Sequence, residues 1–145
     1  MDDNLTRADA ERRATYLWGV SYEVALDLTT GDETFRSETT IRFSGSLTGQ
    51  HTFVDLEAVT VHEVVLNGKT MDPSAYDAER GRFPVRGVLA TNELRIVADC
   101  AYQHTGVGLH RFVDPVDGKV YLHTQFEPFD AHRVFACFDQ PDLKA

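Results

Sequence analysis

Apolar and polar residues alternate with a period of two through most of the chain, and that period predicts strands. Tyr22, Val24, Leu26 and Leu28 alternate with Ser21, Glu23, Ala25, Asp27 and Thr29, the pattern of a half-buried strand. Thr30-Gly31-Asp32 turns the chain, and Phe35, Ser37, Thr39, Ile41 and Phe43 then alternate with Thr34, Arg36, Glu38, Thr40 and Arg42. Two such runs around a glycine turn predict an antiparallel hairpin. Beyond the loop bracketed by Gly45 and Gly49, short strands are expected over 52–56 and 59–66. Asn67-Gly68 is the strongest local hairpin signal, because both central positions of a type I′ turn favour positive φ. Pro73 cuts the return strand short after Met71. Residues 74–87 have the composition of a loop, with Phe83 and Val85 adding a short strand. Leu94, Ile96, Ala98, Cys100 and Tyr102 alternate again; Gly106 and Gly108 loosen the backbone, and Asp114-Pro115-Val116-Asp117-Gly118 turns it into a last strand from Tyr121.

Two stretches predict helix. Thr6 caps a short N-terminal helix to about Ala14, with Asp9 near its positive end. Tyr16 and Trp18 follow as anchors holding that segment to the sheet. In the last strand, Tyr121, His123 and Gln125 face one side, and Leu122, Thr124 and Phe126 the other. Pro128 lacks a backbone donor, so the ladder is expected to end at Glu127. Asp130 then caps a second short helix that turns Val134, Phe135 and Phe138 inward and closes at Gln140-Pro141. Together these elements predict one domain over residues 1–145. It is an all-β, antiparallel β-sandwich with a short N-terminal helix and a short helix near the C-terminus.

Charge narrows the function. With 14 basic and 23 acidic residues the formal charge is −9, and no basic run occurs. This disfavours nucleic acid and anionic membrane surfaces, which require clustered Lys and Arg. Cys100 and Cys137 are the only cysteines, and apolar neighbours point to reduced core thiols. MDDNLTRADAERR has no apolar leader core and no later run reaches membrane-span length, so the expected location is the cytoplasm.

Most candidate chemistries fail on spacing. Six histidines (51, 62, 104, 110, 123 and 132) include no H-E-x-x-H, and neither cysteine has a Cys or His partner at ligand spacing, so no zinc site is expected within this chain. His110-Arg111 and His132-Arg133 read as polar loop or helix-surface residues. Gly106-Val107-Gly108 lacks the third glycine and following helix of a dinucleotide site. Asp114 and Asp117 supply too few oxygens for a calcium loop, and no serine sits in a G-x-S-x-G elbow. Gln125 and Glu127 remain. From spacing alone, a polar pair at a strand tip is ordinarily a solvated edge.

A longer pattern changes the weight of that pair. TQFEPFDAHRVFACFDQPDLKA resembles the signature near the end of the N-terminal domain in zinc aminopeptidases of the aminopeptidase N family, roughly T-Q-F-E-P-x-D-A-R-R-x-F-P-C-F-D-E-P-x-x-K-A. The chain departs from it at His132, Ala136 and Gln140. GLHRFVDPVDGKVYLHTQF and the opening NLTRADAERRA also resemble bacterial members, so the resemblance spans essentially the whole chain. It implies a saddle-like antiparallel β domain and makes Glu127 the acceptor for the free α-ammonium of a peptide. Gln125 would line the pocket for the first side chain. The chemistry is sound, because a carboxylate in a dry cleft bonds an ammonium far better than an internal amide, and its loss costs on the order of 2–4 kcal/mol of binding. The Gln-x-Glu form favours a plain aminopeptidase over leukotriene-hydrolysing relatives. The resemblance further implies zinc ligands and a catalytic domain outside this chain, no catalytic residue within it, and further strands after Ala145. An unpaired sheet edge is then expected, open to strand exchange between copies. A non-catalytic scaffold β-sandwich is the rival reading; it gives no reason to keep Glu127.

Overall fold

The structure, a computed structural model, describes residues 5–46 and 50–145. Helix α1 (Arg7–Tyr16) opens on Thr6, whose hydroxyl accepts from Asp9 N–H. Strands β1 (Leu17–Asp27), β2 (Thr34–Gly45), β7 (Thr91–Ala101), β4 (Thr60–Leu66) and β5 (Lys69–Met71) form an antiparallel sheet in the order β1-β2-β7-β4-β5. Strands β3 (Gln50–Asp55) and β6 (Arg82–Val88) pair across it, and β8 (Gly108–Val113) with β9 (Val120–Gln125) makes a separate hairpin. The predicted antiparallel β fold and the N-terminal helix are both present. Asn67 and Gly68 adopt φ of 51° and 79° between β4 and β5, as a type I′ turn requires.

The core lies between the five-stranded sheet and the β3–β6 pair. Phe35, Ile41 and Phe43 of β2 meet Leu94 and Ile96 of β7, Val54 of β3, and Phe83 and Val85 of β6. Both cysteines are buried free thiols, and burial pushes Cys100 up to about 12.

Three expectations need correction. Trp18 does not anchor the N-terminal segment: it is 52% exposed, because Gly19 at φ 62° and the register shift between Trp18 and Ser21 turn it off the core. Tyr16 is buried, its hydroxyl donating to the His51 carbonyl. The second helix reduces to one 3-10 turn, Ala131–Arg133. Asp130 does not cap it, since its Oδ1 accepts from Arg133 Nε instead. Downstream the chain pairs with the end of β3: Asp55 N–H donates to Cys137 O at 2.7 Å, and Cys137 N–H returns to Asp55 O at 3.0 Å. Third, His132 is not a surface residue; it is 1% exposed.

Candidate functional site

The hairpin sets the start of the site. Asp114 and Asp117 side chains cap its turn by accepting from Val116 N–H and Lys119 N–H. Gln103 brackets β8 on the other side: its N–H donates to Leu109 O, and its carbonyl accepts from Arg111 N–H. Gly108, at φ 69°, passes beneath the 3-10 turn so closely that a Cβ there would lie 3.1 Å from Arg133 Cβ. The ladder stops at Gln125 opposite Gly108, two residues before the expected end at Glu127. Phe126 O instead accepts from Asp130 N–H, which folds Glu127, a cis Pro128 and Phe129 into a turn.

That turn presents Glu127 to solvent and to an open hollow of about 330 Å³. Pro128, Asp139, Gln140, Pro141 and Lys144 line the rest of the hollow. Among the described residues no cation pairs with Glu127, so its carboxylate is available to a ligand's charge. Gln125 is also exposed but does not line the hollow. It lies along one hairpin face with His123 and His110, whose rings sit 4.7 Å apart.

Behind the hollow runs a buried polar chain. Arg13, 1% exposed, donates through Nη1 to Asp55 Oδ2 at 3.1 Å and through Nε to Gln140 Oε1 at 3.1 Å. Gln140 Nε2 donates to Ala10 O, tying α1 to the C-terminal segment. Asp55 Oδ2 also accepts from Asp139 N–H at 3.0 Å. Asp139 Oδ2 takes both His132 Nδ1 at 2.7 Å and His132 N–H at 3.0 Å. Burial pushes Asp55 above the usual carboxylate range while Arg13 pulls it back. Burial alone would depress His132, but the Asp139 hydrogen bond and the Asp139 and Asp55 charges outweigh it and hold the imidazole above its ordinary 6.5. Aromatic contacts complete the wall: Phe138 meets Phe43 edge-on, and Phe135 meets Tyr22. Phe138 N–H donates to the Tyr22 hydroxyl.

Residues 19–145 match the model of the peptidase M1 N-terminal domain. The chain belongs to this family. It is 57% identical to aminopeptidase N of Streptomyces lividans over 145 residues, 98% of this chain and 17% of that protein. A probable M1 family aminopeptidase of Encephalitozoon cuniculi is 36% identical over 59% of the chain. The M1 N-terminal domain thus spans well under a fifth of the curated relatives it matches. In architecture it superposes on native leukotriene A4 hydrolase from Saccharomyces cerevisiae, with a TM-score of 0.69 at 16% identity, over 97% of this chain and 26% of that one.

Within the M1 domain the two predicted site residues are neighbours in sequence but look in different directions, Glu127 into the hollow and Gln125 along the hairpin. Among the described residues no group of three or more His, Cys, Asp or Glu side chains is arranged to hold a metal. Sequence reasoning missed Arg13, Asp55 and Asp139 as the frame of the site. One signal was present: Arg13 lies three residues before Tyr16, on the helical face that turns inward. A charge on the buried stripe of a helix demands a buried counter-charge.

Proposed function

We propose that this chain is the substrate-anchoring domain of a zinc-dependent M1 aminopeptidase that removes single residues from peptide N-termini. Glu127 receives the α-ammonium, so that position along the peptide is measured from a charge, and Gln125 contributes to the wall around the first side chain. The observation that carries the reading is Glu127 itself, exposed at the rim of a hollow with no cation paired to it among the described residues. Identity of 57% to the Streptomyces aminopeptidase N supports the substrate class.

Zinc supplies an activated water when bound. Among the described residues no group of three or more His, Cys, Asp or Glu is arranged to hold such an ion; its proposed ligands lie in a catalytic part of the enzyme, which is also this chain's proposed principal partner. What this chain contributes is binding and orientation. The cytoplasm is the proposed location. In the full-length enzyme, Glu127→Gln should lower kcat/KM on peptides with a free N-terminus about 30- to 1,000-fold, the consequence of leaving an ammonium unpaired in a closed cleft. A change within a factor of two would remove Glu127 from substrate recognition.

A further inference from the structure

The buried polar chain lies behind both walls of the Glu127 hollow, and one residue joins those walls. The His132 ring packs against Phe129, with ring centroids 4.9 Å apart and planes tilted by 44°, and Phe129 closes the turn that carries Glu127. The same ring and its own backbone N–H converge on Asp139, which lines the hollow from the C-terminal segment. His132 O accepts from Glu57 N–H at 2.8 Å, fixing the ring against the segment after β3. We propose that His132 is a positioning residue for the Glu127 hollow, and that it holds the two walls at their spacing as an imidazolium. Only the link from this spacing to ammonium recognition rests on the function proposed above.

Charge counting supports the charged form. Asp139 on the C-terminal segment, Asp55 on β3 and Arg13 on α1 are each under 10% exposed, and with a neutral imidazole they hold two carboxylates against one guanidinium. An imidazolium brings these four side chains to neutrality, and an unbalanced buried charge is costly. The neighbouring guanidiniums are shared with other carboxylates. Arg82 of β6 stands 3.9 Å from Asp55 and divides itself with Asp9 at 3.7 Å. Arg133, beside His132 on the 3-10 turn, pairs with Asp130 and Glu57. The Tyr22 hydroxyl of β1 and the Cys137 thiol are pushed upward by burial and stay neutral. With Nδ1 set on Asp139 at 2.7 Å, Nε2 is the nitrogen whose protonation makes the imidazolium.

The direction with pH follows. Because His132 titrates above 6.5 in the folded chain, its contribution is complete below about 6.5 and is lost as pH rises through the folded value. Histidine NMR on the 145-residue chain tests this without any need for activity. The imidazole of His132 should titrate with a midpoint above 6.5, and the backbone amides of Glu127 and Gln140 should shift with the same midpoint. His132→Arg, which keeps the charge at all pH values, should abolish that inflection and leave the amides near their low-pH positions. His132→Gln should place them near the high-pH positions throughout. A merely structural histidine would not move the hollow in step with its own charge. A midpoint at or below 6.5, or hollow amides that titrate independently of His132, would overturn the proposal, and the wild-type titration alone decides this if a variant fails to fold. Adding a free-amino dipeptide and its N-acetylated analogue separates the two ideas. Coupled titration without preference for the free amine sustains His132 and counts against the ammonium reading.

Discussion

Arg13 is the residue where chemistry and stability meet most directly. Its guanidinium is 1% exposed, contacts Asp55 and Gln140, and stacks over the Phe53 ring at 4.5 Å. Replacing one partner of a buried pair strands the other, at a cost of about 3–5 kcal/mol. Arg13→Leu should therefore lower unfolding stability by that amount at pH 7, read from urea denaturation, and Arg13→Leu with Asp55→Leu should recover much of the loss. A single variant within 1 kcal/mol of wild type would mean that the pair is not holding α1 to β3. His132 shows why this scale was hard to read from sequence. Beside Arg133 it looks like half of a polar surface pair, yet its partner is Asp139, seven residues on. No periodicity marks a contact made across a non-repetitive segment.

At the scale of elements, long strands were legible and the short irregular ones less so. β1, β2 and β7 each run 11 or 12 residues, long enough for alternation to declare itself, and Asn67-Gly68 named its own turn. β6 was read only at Phe83 and Val85, because Pro84 and Gly87 lie within it and Gly81 precedes it. The second helix was over-read. The apolar spacing at Val134, Phe135 and Phe138 suits a helix, but Asp139 claims the His132 N–H and Asp55 pairs with Cys137, so the chain straightens. Gly108 is the element-scale pivot, since it lets β8 pass under the turn that carries Arg133. Gly108→Ala should cost about 1–3 kcal/mol for the strained φ alone. Chemical denaturation checks the value, and a neutral substitution would show that the hairpin is not seated on that turn.

Over the whole molecule, a net charge of −9 coexists with an incompletely covered apolar row. Val24, Leu26 and Leu28 are 38%, 36% and 37% exposed on or just beyond β1, which pairs on only one side among the described residues. An open edge next to exposed aliphatic side chains favours added strands, including those of a second copy. Sedimentation of the 145-residue chain should show association that grows with concentration and weakens on Leu26→Lys; a monomer unchanged by either would remove the edge as an interface. The larger consequence concerns the hollow, because 57% identity places this domain beside a much longer aminopeptidase sequence. Under the proposed function one carboxylate, Glu127, counts the peptide from its charged end. A double-mutant cycle in the full-length enzyme tests this most directly, pairing wild type and Glu127→Gln with a competitive dipeptide inhibitor and its des-amino analogue. Removing the ammonium should weaken binding to wild type on the order of 100-fold and barely affect the variant; equal losses in both enzymes would contradict the assignment of Glu127.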